Sequence, residues 1–152
     1  MNKPVRIPWP AIRLTTLLIV AAVGMYLWYS VVRPCNLDAV EEAATILGSQ
    51  LDRYDDVYQV AISATPDSVV LPVTVLKQTT MDTQQVIVPT CMNAAKNELV
   101  QYMRIVIKAF DAYAARESDS TVRGLVSEAV THLNQFDAEL KAVRECAPFC
   151  WP

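Results

Sequence analysis

Four cysteines, a single histidine and a set of helix-spaced aromatic rings are the side chains of this 152-residue sequence that could do chemistry. The cysteines stand at Cys35, Cys91, Cys146 and Cys150. Four thiolates are enough for a zinc site, but zinc sites are usually read from close pairs. Here only Cys146 and Cys150 lie near one another, with three residues between them, and no Cys-x-x-Cys pair exists for redox or haem attachment. An even count outside the cytoplasm reads first as two disulfides. Three pairings are open. The expected one joins each of Cys35 and Cys91 to one of the two C-terminal cysteines, closing loops of more than fifty residues. Each such bridge would add about 2–4 kcal/mol.

His132 borders an apolar stripe, one turn from Ala129 and Phe136, and reads as a boundary or surface histidine. Met92 and Met103 are available as soft ligands, but no spacing joins them to it. Ser, His and Asp are all present, yet there is no Gly-x-Ser-x-Gly elbow, and 3 glycines overall leave few tight turns to expose a nucleophile. A Walker loop, a dinucleotide fingerprint and a zinc-protease helix motif are all missing from the sequence. Asp52, Asp55 and Asp56 are splayed by helical spacing without a glycine-containing loop, so they read as a solvated face balanced by Arg53 rather than a calcium site. No catalytic, cofactor-binding or metal-binding residue is assigned, and no cofactor is expected. Tyr54, Tyr58, Tyr102, Phe110, Tyr113 and Phe136 recur at helical spacing, which is the pattern of a core; a pigment or quinone pocket would use the same residues.

The elements that must position these residues begin with a membrane segment. Residues 14–32 run nineteen positions without a charge, which is enough helix for a bilayer core of about 20 residues. Trp9 at one end and Tyr26, Trp28 and Tyr29 at the other form the aromatic belts expected of two membrane–water interfaces. The apolar core of a cleavable signal peptide is shorter, about 7–15 residues, so an uncleaved anchor is expected. Charge is unevenly placed. Residues 1–34 hold four basic residues (Lys3, Arg6, Arg13, Arg33) and no acid, while the other nine basic and all 16 acidic residues follow. The basic leader 1–13 is therefore expected in the cytoplasm, with residues 35–152 in the periplasm or cell exterior. The acidic balance of that outer part argues against nucleic acid as a partner.

The expected fold class is all-α: the N-terminal transmembrane helix, then a small extracytoplasmic three-helix bundle. Apolar positions at steps of three and four predict helices over about 37–62, 91–115 and 120–145. Asn36 and Thr90 are the expected caps of the first two, the segment Ser118 to Ser120 caps the third, and Pro148 stops it. The break at Arg116 to Ser120 is so short that the last two helices must be antiparallel neighbours. Residues 63–89 read differently. The run from Val69 to Leu76 and the run Val86-Ile87-Val88 are rich in β-branched residues, and Pro72 bars a central strand, so a long extended or β-like strap is expected. Val73 and Val75 in that strap, with Phe149 and Trp151 in the short apolar tail, are candidate partner contacts.

A single span, a small helical outer domain and no catalytic kit point to a non-catalytic accessory subunit of a larger bacterial membrane complex. Its expected partners are the lipid bilayer and other subunits, bracing an extracytoplasmic one. A respiratory or photosynthetic electron-transfer complex is the host that the architecture suggests, by analogy alone. The alternative is an independent membrane-tethered binding or sensor module.

Overall fold

The computed structural model of the chain describes residues 20–24 and 35–146. The chain divides into two compact units, 1–34 and 35–152. In the first unit, 20–24 are helical. No helix among the described residues is long and apolar enough to cross a membrane. Most of the stretch 14–32 lies outside the described residues, as do the expected interface anchors Trp9, Tyr26, Trp28 and Tyr29. Cys150, Pro148, Phe149 and Trp151 lie outside them too.

The second unit is helical throughout, with no strand among the described residues. Its elements are α1 (Leu37–Ile62), α2 (Val70–Gln85), a 3-10 turn at Thr90–Met92, α3 (Asn93–Ala114) and α4 (Asp119–Cys146). Each helix packs along the next in sequence order, with α3 against α4 the most extensive interface. This is a four-helix bundle rather than three helices and a strap.

The correction lies in α2, and its cause is local chemistry. Pro72 sits in the first turn, where the amide it lacks would have had no helical partner. The chain enters through a Thr65-Pro66-Asp67-Ser68 turn in which the Thr65 amide donates to the Ser68 hydroxyl oxygen (2.9 Å). From there Val69, Val73, Leu76, Thr79, Thr80 and Thr83 are buried, at steps of one face of a helix. Three of those six are threonines, which count as polar in a periodicity reading. Each hydroxyl donates to the carbonyl four residues earlier: Thr79 to Val75 (3.1 Å), Thr80 to Leu76 (2.8 Å) and Thr83 to Thr79 (2.8 Å). With its hydrogen bond satisfied inside the helix, a threonine presents mainly its methyl group and packs as an apolar residue.

The other helices form where the spacing places them. Asn36 caps α1, its side-chain oxygen accepting from the Ala39 amide at 2.7 Å. Ser118 caps α4, accepting from the Thr121 amide at 3.3 Å. Thr90 does not cap α3; it opens the 3-10 turn that leads into it. The core is built on α3, which buries Leu99, Met103, Val106 and Phe110 among others, against Val40, Leu47 and Tyr54 of α1 and Phe136 and Val143 of α4. In α4 the inward positions Val122, Leu125, Ala129, Leu133, Phe136, Leu140 and Val143 recur at steps of three and four, one face of a helix turned to its neighbours.

The α3–α4 connection is a tight reversal. The Glu117 amide donates to the Ala112 carbonyl and the Arg116 amide to the Tyr113 carbonyl, both at 3.0 Å. This is a Schellman closure, whose left-handed position glycine usually fills. Arg116 fills it here, with φ of 58°.

Candidate functional site

The four helices do not close evenly. Helix α1 touches α4 through few residues. Near the Cys35–Cys91 end the seam between them is fastened by Arg144 of α4 on Glu41 of α1 (3.0 Å). At the other end it parts, leaving a cavity of about 360 Å³ between α1, α3 and α4. Its walls include Tyr58, Ala61 and Ile62 of α1, Tyr102, Val106, Ala109, Phe110 and Tyr113 of α3, and Val122, Val126, Ala129, Val130 and Leu133 of α4. Ile62, Val126 and Val130 are exposed and mark the mouth. Small residues make the space. Ala61, Ala109 and Ala129 are all buried at positions where a leucine would fill the gap. The volume falls within the range of small-molecule sites, and no charged side chain lines the wall among the described residues.

Aromatic residues hold one flank. Tyr54 of α1 reaches across the bundle and donates from its hydroxyl to the Met103 carbonyl of α3 at 2.8 Å. Its ring lies 6.0 Å from that of Tyr102, and the Tyr58 ring meets Phe110 edge-on at 5.7 Å. Full burial pushes the Tyr54 phenol well above its ordinary range, with smaller contributions from Tyr102 and Tyr58. Tyr102 is pushed up to about 12, first by burial, then by the neighbouring Tyr58 and by the Asp55 carboxylate. Tyr113, at the mouth, donates to the Ala64 carbonyl at 3.4 Å. Beside the mouth is a second, polar depression that shares Tyr113 and Val122 and holds Arg116, Glu117, Asp119 and Arg123. Its cations are occupied: Arg116 pairs with Asp67 (3.4 Å) and Arg123 with Asp119 (3.8 Å).

The cysteines are placed otherwise than expected. Cys35 and Cys91 form a disulfide with each other, their Cα atoms 6.1 Å apart, and the Cys91 amide donates to the Cys35 sulfur at 3.3 Å. Cys146 is exposed and free. The expected cross-pairing is not formed: residues 63–89 return the chain to the end where α1 begins, as a helix rather than a strap, and there the starts of α1 and α3 are joined to each other. Among the described residues, no cluster of His, Cys, Asp and Glu could hold a metal ion.

His132 is half-buried, and its Nδ1 is joined to Glu98 Oε2 of α3 at 2.6 Å, a link between neighbouring helices. Glu98 carries no signal in the sequence beyond its place one turn before Tyr102. Asp52, Asp55 and Asp56 are exposed on α1. Arg53 reaches not to them but to Asp82 of α2 (3.5 Å). Val73, a candidate partner contact, is buried in the core instead, because α2 turns that position inward; Val75 is on the outer side. The aromatic residues singled out from the sequence are brought together at the cavity in part: Tyr58, Tyr102, Phe110 and Tyr113 line it, while Tyr54 stands behind it. The alanines that open the cavity and Val130 at its mouth were not legible as a site. Their one signal is the convergence of three small residues on core-facing positions. No family model, curated protein or solved structure matches the chain.

Proposed function

We propose that the chain is a membrane-tethered binding module whose four-helix bundle takes a small apolar molecule between α1, α3 and α4. The observation that carries this reading is the cavity at the parted α1–α4 seam, lined among the described residues by aliphatic side chains, one phenylalanine and three tyrosines. The uncharged stretch 14–32 supports the tether, and the basic leader before it, with Lys3, Arg6 and Arg13, supports an extracytoplasmic bundle under the positive-inside bias. The module is non-catalytic in this reading. Its test is methyl NMR of the full chain in lipid nanodiscs, titrated with 1-naphthol. Methyl signals of Ala61, Ala129, Val126 and Leu133 should move, while those of Val40 and Leu47 towards the bridged end stay in place. Val126→Trp, which plugs the mouth from an exposed position, should abolish the shifts. Unmoved lining methyls at saturating probe would overturn the reading.

The second reading, an accessory subunit bracing a partner in a membrane complex, is favoured by the outer side of α2. Leu71 and Val75 are exposed there one turn apart, beside Val70. An aspartate at both Leu71 and Val75 should then free the chain from proteins that co-purify with it from native membranes. Unchanged co-purification would count against that role.

A further inference from the structure

Among the described residues that line the cavity, only Tyr58, Tyr102 and Tyr113 carry a polar side-chain group, a hydroxyl each. Tyr113 has a protein acceptor, the Ala64 carbonyl. Tyr54, just behind the wall and fully buried, has one too, the Met103 carbonyl. Tyr58 and Tyr102 make no side-chain hydrogen bond among the described residues, although Tyr102 keeps only 9% of its exposure. Neither hydroxyl is sealed off, the one sealed side-chain oxygen without a partner among the described residues being Gln50 Oε1, so both stay open to hydrogen-bond a molecule that reaches them. The difference within one aromatic cluster is informative. The enclosed phenol is satisfied by the protein, and the two that border the cavity are left for whatever enters it.

Charge narrows the chemistry of that occupant. Asp55 lies on α1 between Tyr54 and Tyr58, close enough to Tyr102 for its carboxylate to disfavour a second negative charge there. An anionic group in the cavity would lose its hydration and find no cation among the described lining residues to offset that loss. The remaining surface is valine, alanine, leucine, isoleucine and phenylalanine, which suits rings or short chains.

Resting on the binding role proposed above, we infer that the occupant is an uncharged, ring-sized apolar molecule bearing one hydroxyl or carbonyl group, held by the hydroxyls of Tyr58 and Tyr102. A ring stacks among Tyr58, Tyr102 and Phe110, and its polar atom exchanges hydrogen bonds with the two phenols. A molecule lacking that atom fills the same space but leaves both hydroxyls unpaired.

Three probes of similar size separate the possibilities: 1-naphthol, naphthalene and 1-naphthoate. Their affinities are read from the same lining methyl signals of the full chain in nanodiscs, for the wild type and for Tyr58→Phe/Tyr102→Phe. Partition into lipid is common to both proteins and cancels in the comparison. The double variant removes two oxygens that hold no protein partner, so its fold and its naphthalene affinity should be retained. The wild type should prefer 1-naphthol over naphthalene on the order of tenfold, and should bind 1-naphthoate most weakly. The double variant should bind 1-naphthol and naphthalene alike. Equal affinity for the two in the wild type, an undiminished preference in the double variant, or tightest binding of 1-naphthoate would each overturn the inference while leaving a binding cavity in place. Failure of all three probes to move the lining methyls would remove the binding role and the inference together.

Discussion

At the residue scale the chain solves two problems with side chains that a simple reading would not choose. The first is Arg116 in the left-handed position of the α3–α4 reversal. A side chain there costs about 1 kcal/mol relative to glycine. Its ion pair with Asp67 offsets little, because both partners are largely exposed. Arg116→Gly should therefore stabilise the bundle by about 0.5–1 kcal/mol, seen as a rise of a few degrees in thermal midpoint by circular dichroism. A lowered midpoint would show that the arginine holds the α1–α2 turn in place. The second is the buried tyrosine pair. An unfolded phenol releases its proton near its ordinary value of about 10, whereas Tyr102 in the fold holds its proton until about 12. Between those values unfolding releases a proton, so stability present below pH 10 is lost progressively as pH rises through the window. Tyr54, shifted in the same direction, extends the loss upward. Urea midpoints measured from pH 9 to 12 should fall, and Tyr102→Phe should flatten part of the slope.

At the scale of elements, the helices with leucine, valine and aromatic stripes were legible, because their apolar residues repeat at three and four. Asn36 before α1 and Ser118 before α4 were legible as caps for the same reason: a short polar side chain stood just ahead of the pattern. Helix α2 was not. Half of its buried stripe is threonine, and Pro72 argues against helix unless its place in the first turn is known. The disulfide pairing was not legible for a different reason: a returning strap and a returning helix both bring Cys91 back to the end of Cys35, and sequence alone does not choose among cysteines gathered at one end. The site was legible only as aromatic spacing. The cavity arises from alanines on three different helices, and no single-helix periodicity reports where they converge. A pair of variants tests the reassignment of α2. Val73→Asp places a charge in the core and should cost more than about 3 kcal/mol. Val75→Asp, on the outer side, should stay within about 1 kcal/mol. A strap would make the two alike, so similar losses in denaturant melts would contradict the helix.

At the scale of the whole molecule, the bundle is fastened at one end and parted at the other. The Cys35–Cys91 bridge closes a loop across 56 residues of sequence and joins the entry of α1 to the entry of α3. In the chain-entropy description such a loop is worth about 4 kcal/mol. The Arg144–Glu41 pair draws α4 onto α1 at the same end. Ion pairs on the other seams, Arg53 with Asp82 and Lys77 with Asp111, are exposed and set register more than stability. Replacing Cys35 and Cys91 with serine should thus lower stability by about 2–4 kcal/mol, measured in urea, without changing the affinity of a probe at the far end. Coupled loss of both would mean that the fastened end also shapes the cavity.

The central claim is that the parted seam holds a small apolar molecule. The most direct measurement is a crystal structure of the full chain grown with 4-bromo-1-naphthol, locating bromine by its anomalous signal. One strong peak is expected between α1, α3 and α4, among Ala61, Ala109 and Ala129, with the naphthol oxygen towards Tyr58 and Tyr102. A bundle of the same fold whose seam contains no bromine, at a probe concentration that saturates the solution signal, would contradict it.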